Sequence, residues 1–312
     1  MNGKHHALGR TAALSFQPLS RIDEPDERTW ALHWLLSLLG NETIEVTPDI
    51  KAALWTALNN MAAAPIGERT LTGLSVLLSS NALKQALAPY TLEGAYGQCL
   101  DADREGLDLA PIHCFETEDL MGDTGLVAPV LTYLFHRLEA RFDGRPTLLI
   151  LDEAWVFLDN PQFASRLREW LKVLRKKNVS VVFATQSLAD IADSAIAPAI
   201  IESCPQRLFL PNERAVEPLA QTAYQRMGLN TRQIELIAQA IPKRQYYLQS
   251  RRGNRLFDLN LGPLALSVCA AASPEDQRLI DSVVEAEGAE RFALAFLAAR
   301  GLSWAADLLK PP

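Results

Sequence analysis

The sequence predicts an α/β fold in which a parallel central sheet carries an all-helical insertion and a helical tail. Three observations predict it. Two short apolar runs, residues 147–151 and 179–184, each stop abruptly at polar side chains, the first at Asp152-Glu153 and the second at Thr185-Gln186. Amphipathic helical periods separate and flank these runs, and strands alternating with helices favour a parallel sheet. A long block, residues 23–90, carries helix caps and helical spacing without a strand signal.

Taken in order, residues 1–22 read as an extended lead-in, Ala12-Ala13-Leu14-Ser15-Phe16, ending near Pro18-Leu19. Residues 28–39 form an apolar-rich helix that Gly40 should stop. Thr47 is placed to cap the next helix, with Pro48 at its first position, where a missing N–H costs nothing, and the helix runs to about Met61. Residues 70–78 and 81–87 continue in helical periods. Trp30, Trp34 and Trp55 fall at helical spacing, which favours a core over a base-stacking platform. A glycine-bearing turn region follows at 90–109, then a strand at 112–116 and a helix at 127–141.

Residues 91–272 are expected to hold the sheet. Pro146 suits the entry to a strand, and the branched run behind it suits a strand buried on both faces. The helix at 161–177 gathers Phe163, Leu167, Trp170, Leu171 and Leu174 on one side. Residues 179–185 make a second buried strand and 207–210 a third. A helix opens at Thr231, and 244–250 with 255–259 form a hairpin around Arg252-Gly253-Asn254. Residues 273–312 form a helical tail, started by Ser273-Pro274-Glu275 and broken at Gly288 and Gly301.

Composition narrows the function. The chain has 312 residues, 48% of them apolar and 21% charged, as in ordinary folded proteins. A net charge of −7 gives no overall attraction to nucleic acid; Arg175-Lys176-Lys177 and Arg251-Arg252 are the basic clusters, and solvated faces explain both. Cys99, Cys114, Cys204 and Cys269 form no CxxC pair, so neither a zinc site nor a disulfide framework is indicated, and a reducing cytoplasm fits. The longest apolar window, 264–272, is about half of the roughly 20 residues a membrane helix needs. The amino terminus lacks a signal pattern.

Carboxylates at the carboxyl end of a buried strand stand where open α/β sheets bind ligands. In nucleotide hydrolases such a position supplies one acidic side chain toward Mg²⁺ and often a second that orients the attacking water. Asp152 would take the metal side and Glu153 the water; the plainer reading is a solvated acidic turn. Gln186, at the end of the neighbouring strand, has an amide that donates to phosphate oxygen and accepts from water, or it simply caps the next helix. Arg175 closes a helix whose dipole favours cations there; it is also placed to reach a neighbouring subunit's nucleotide.

The runs TLLILDEAWVFLD, FASRLREWLKVLRKKNVSVVFATQS and SCPQRLFLPN, with SFQPLSRIDEPDERTWALHWL before them and QYYLQSRRGNRLFDLNLGPLAL after, resemble the conjugal-transfer ATPases of type IV secretion systems over nearly the whole chain. The resemblance implies a RecA-like P-loop core related to hexameric DNA translocases, with ATP and Mg²⁺ as cofactors. By motif, Asp152 resembles the Walker B metal-side acid, Glu153 the catalytic acid and Gln186 the sensor. Arg175 resembles the trans-acting arginine finger, with Arg207 a second candidate or a strand-edge salt bridge. The implied partners are secretion components at the inner membrane and further copies in a hexamer, with cytoplasmic, peripheral placement. One element departs from the pattern: GxxxxGK followed by Ser or Thr is absent, and Asn2-Gly3-Lys4-His5 lacks both the upstream glycine and the hydroxyl. The expectation is therefore the carboxyl-terminal part of such an ATPase, inactive alone. The alternative is a non-enzymatic module that docks to secretion components.

Overall fold

The computed structural model describes residues 3–9, 14–108, 110–153 and 161–309. The chain separates into two compact units, residues 1–186 with 194–196, and residues 187–193 with 197–312.

The first unit holds two parallel strand pairs and most of the helices. Strand β1 (Gly3–Ala7) pairs in parallel with β2 (Ile112–Glu116), Gly3 opposite Ile112 and Ala7 opposite Glu116. Strand β3 (Thr147–Leu151) pairs in parallel with β4 (Val179–Phe183), Thr147 opposite Val179 and Leu151 opposite Phe183. The opening strand thus lies earlier than the 12–16 stretch suggested; residues 12 and 13 lie outside the described residues.

Between the β1 and β2 strands, every element from Pro25 to Tyr90 is helical: α1 (Pro25–Asn41), α2 (Pro48–Met61), α3 (Leu71–Leu77) and α4 (Asn81–Leu87), with single 3₁₀ turns at Ile66–Glu68 and Ala88–Tyr90. Thr47 caps α2 by accepting from the Ile50 amide, with Pro48 behind it, as its sequence signals. Gly40 does not stop α1. The helix runs one residue further, and the turn comes at Thr43, whose φ is +60°. Trp34 is buried, and its indole N–H donates to the Pro129 carbonyl at 3.1 Å. Trp30 stacks on His136, ring centres 4.0 Å apart. Trp55 departs from the expected core: it is 38% exposed, with the Arg28 guanidinium over its ring.

Two buried polar groups tie this helical block together. Asp101 accepts from the Leu71 and Thr72 amides and the Thr72 hydroxyl, satisfying the free N–H groups at the start of α3. Arg69 donates to the Ala64 and Ser20 carbonyls and pairs with Asp23. After short helices α5 (Gly97–Leu100) and α6 (Glu118–Met121), α7 (Thr124–Glu139) packs on α1. Helix α8 (Pro161–Val173) joins β3 to β4 and ends in a 3₁₀ turn, Leu174–Lys177, closed by Asn178 in a left-handed conformation, φ +59°. Its Trp170 is buried against Phe135, ring centres 4.7 Å apart, and Phe142, 5.9 Å away; the Phe163 side chain lies outside the described residues.

The second unit opens with α9 (Leu188–Asp193) and α10 (Ala197–Ser203) and contains an antiparallel sheet of β5 (Arg207–Phe209), β6 (Gln245–Ser250) and β7 (Gly253–Asp258). This corrects one expectation: the third apolar run does not extend a parallel sheet but pairs with the hairpin, Arg207 opposite Gln249. The hairpin turn is Arg251-Arg252, with Gly253 (φ +124°) already opposite Ser250 in the ladder. Helices α11 (Pro218–Arg226) and α12 (Thr231–Gln239) precede it; Asn230 and Gln233 form a capping box on α12. Then come α13 (Pro263–Cys269), α14 (Pro274–Ala299) and α15 (Ser303–Asp307). Ser273 and Asp276 form a capping box on α14, which Gly288 interrupts with φ +70°, as its glycine signals. Among the described residues no helix is long and apolar enough to cross a membrane.

Candidate nucleotide-hydrolysis site

The site is built where two parallel strands end together. β3 and β4 run side by side in register, so their carboxyl ends share one rim, and the Ala184 amide adds one more ladder bond to the Leu151 carbonyl at 2.9 Å. Immediately beyond, the chain leaves β3 through Asp152 and Glu153, and β4 through Thr185 and Gln186. Glu153 adopts φ +50°, a conformation uncommon for a residue with a Cβ. Asp152 helps hold that turn: its Oδ1 accepts the Glu153 amide at 3.1 Å.

This backbone turn brings the two side chains together. The Gln186 amide N–H₂ donates to Glu153 Oε1, so residues 33 apart in sequence meet across the rim. Asp152 and Gln186 are exposed and Glu153 is half-buried, an arrangement open to a ligand. The role of Asp152 in the turn is one that its motif does not announce, and its signal is local. An Asp directly before the residue that exits a strand can accept that residue's N–H, so Asp152 serves the turn as well as the rim.

Arg175 stands elsewhere. It lies in the 3₁₀ turn before β4 starts, while the rim is at the end of β4, so the strand's length of roughly 15 Å separates them. The residue is exposed, and among the described residues no hydrogen bond or ion pair engages its side chain. Arg207, the second candidate, is committed inside the other unit. Its Nη1 donates to the Met227 carbonyl at 2.8 Å and to Gln249 Oε1 at 3.0 Å, and its Nη2 to the Ile201 carbonyl at 2.7 Å. Its Nε is buried without a partner among the described residues. The strand-edge salt bridge also expected for Arg207 does not form there, because backbone carbonyls and an amide take the carboxylate's place.

Gly3 and Lys4 form no phosphate cradle. They lie in a strand, and the Lys4 ammonium pairs with Asp108. Among the described residues no group of three or more metal-binding side chains is present. A single exposed carboxylate such as Asp152 nonetheless suits Mg²⁺, which keeps most of its waters and takes one or two carboxylates plus phosphate oxygens.

An acid pair and an amide on the rim of a parallel β–α–β unit define a nucleotide-hydrolase class of α/β protein, and comparison with known proteins agrees. The chain belongs to the TraG P-loop domain family, whose profile matches residues 77–248. It is 43% identical, over its whole length, to the conjugal transfer protein TrbE of Rhizobium radiobacter, spanning 38% of that protein. It is 43% identical over 98% of its length to a probable conjugal transfer protein TrbE of Sinorhizobium fredii, spanning 46% of it. The type IV secretion protein virB4 of Bartonella quintana is 26% identical over 92% of this chain. The chain thus spans less than half the length of these relatives. Among solved structures, VirB4 of Thermoanaerobacter pseudethanolicus superimposes with a TM-score of 0.61 at 18% identity, covering 84% of this chain and 77% of that one. The plasmid coupling protein TrwB aligns with a TM-score of 0.50 at 14% identity, over 83% of this chain and 74% of that one. The fold is that of the P-loop NTPases.

Proposed function

We propose that this chain carries the acid-and-amide half of the ATP site of a conjugal-transfer motor. The meeting of Glu153 and Gln186 at one rim, in a relative of TrbE and virB4, is the observation that carries the reading. Asp152 would face Mg²⁺ through water. The ion, when bound, neutralises charge on the phosphate oxygens. Glu153 orients and polarises the attacking water, and Gln186 holds the Glu153 carboxylate while its amide remains within reach of a terminal phosphate. Arg175, remote from its own rim, suits only a role in trans, at the nucleotide of a neighbouring copy. Arg207 is left out of the proposed site, because its guanidinium is spent on structure.

The wider role follows from the relatives. The chain would form part of an ATPase that powers pilus assembly and substrate transfer, acting as a hexamer on the cytoplasmic side of the inner membrane and held there by other secretion components. With no GxxxxGK loop in its 312 residues, it should turn over little ATP by itself. Titration with a fluorescent ATP analogue tests this. The chain alone should bind weakly and only with Mg²⁺, and Asp152→Asn should remove the Mg²⁺ dependence. Tight binding indifferent to Asp152→Asn and Glu153→Gln would place any nucleotide elsewhere and favour the purely interacting module.

A further inference from the structure

The β3–β4 pair is bare on one side. Residues paired in register share a face, so Leu148, Ile150, Ser180 and Val182 line one side, and Leu149, Leu151, Val179, Val181 and Phe183 the other. The second side is turned inward. On the first, Leu148 is 62% exposed, Ile150 61% and Val182 46%. This corrects the expectation of a strand buried on both faces. It also leaves a patch rather than scattered apolar residues, on the kind of pairing that proteins normally cover on both sides.

The rim says what should cover it. The same two strands present Asp152, Glu153 and Gln186, yet the sequence contains no glycine-rich loop to cradle phosphates, and Lys4 is already paired. Phosphate groups bind at helix amino termini, beside the carboxyl ends of parallel strands. A helix that starts at this rim and runs back along the sheet would cross Ile150 and Val182 first and Leu148 next. A strand of this length matches a helix of about ten residues, with an apolar stripe at every third and fourth position.

We propose that the Leu148–Ile150–Val182 face seats the helix that follows a phosphate-binding loop on a polypeptide segment outside these 312 residues. Spanning 38% and 46% of its relatives' lengths, the chain leaves room in the family for such a segment. A second copy of this chain is the poorer occupant, since pairing two such faces would bring no phosphate donors to either rim. The identity of the occupant rests on the nucleotide reading above; the bare face does not.

The test uses the 312-residue chain and, as probe, the portion of Rhizobium radiobacter TrbE that this chain does not match, co-purified and followed by size-exclusion chromatography and binding of a fluorescent ATP analogue. Wild type should form a complex that binds the analogue. Ile150→Glu, and separately Leu148→Glu, should weaken the complex roughly a hundredfold, the worth of one buried aliphatic side chain. Both positions are exposed, so circular dichroism should show unchanged folding; Leu208→Glu, also exposed but in the other unit, should leave the complex intact. Failure to form a complex, a complex indifferent to both face variants, or self-association abolished by them would overturn the proposal. A face-dependent complex that binds no nucleotide would sustain the docking and sink the ATPase reading. Nucleotide binding unaffected by the face variants would do the reverse.

Discussion

At the scale of single residues, the turn at Glu153 determines what the rim can do. Glu153→Gln keeps the shape and the bond to Gln186 but removes the base, so ATP turnover by the assembled enzyme should fall at least about a hundredfold while nucleotide affinity changes little. Asp152→Ala should act differently. It removes the acceptor for the Glu153 amide along with the metal-side carboxylate, so Mg²⁺-dependent affinity falls as well. Arg69, mostly buried and bonded to two carbonyls and Asp23, is a structural counterpart: Arg69→Ala should cost about 3 kcal/mol in denaturant unfolding, because those acceptors lose their donor. Thiol chemistry should follow burial. Exposed Cys114 and Cys269 should react with Ellman's reagent before Cys99, which is buried and whose pKa burial pushes up to about 12.

At the scale of elements, the packing of α1 on α7 and of β1 on β2 should respond to pH through different groups. The hydrogen bond between His136 and Glu27, 3.0 Å long, holds the Glu27 carboxyl below its ordinary value. A depressed folded value means that this stability is present above the unfolded value of about 4.3 and is lost as pH falls through the folded one. On β1 and β2, His6 and His113 approach to 3.1 Å and stack with Phe115. Burial, and for His6 also the charge of His113, lowers both. Their neutral forms therefore favour the pairing, which should be intact above about pH 6.5 and loosen as pH drops below the folded values. Hydrogen exchange should show β1 and β2 amides losing protection between neutral and mildly acidic pH, and the α1–α7 contact holding until lower pH. Loss of both in one step would contradict this separation.

The elements also show what could be read in advance. Caps were legible because they depend on neighbours in sequence: Thr47-Pro48 and Ser273-Pro274 behave as their local chemistry dictates. The β3 and β4 strands were legible from their branched runs and polar ends, and the rim followed. The fate of the 207–210 run was not, because its partner is a hairpin some 40 positions away that only the folded backbone reveals. Nor was the exposure of Leu148 and Ile150, since an apolar run has the same sequence whether or not something covers it. Gly40 misled for a different reason: one glycine weakens a helix by about 1 kcal/mol, less than the burial of Leu38 and Leu39 beside it returns.

At the scale of the whole molecule, the chain belongs to a family of conjugal transfer and type IV secretion proteins and spans less than half of its relatives' length. Its own contribution to a nucleotide site is one rim, with two acids and an amide held by a paired set of parallel strands. The central claim is that Glu153 and Gln186 act as one unit on ATP. A double-mutant cycle on turnover tests it most directly, with the chain assembled with the unmatched portion of the Rhizobium radiobacter TrbE chain and compared as wild type, Glu153→Gln, Gln186→Ala and both. The account predicts a large loss for each single change and a double variant hardly worse than Glu153→Gln alone. Turnover unaffected by Glu153→Gln, or losses that simply multiply, would contradict it.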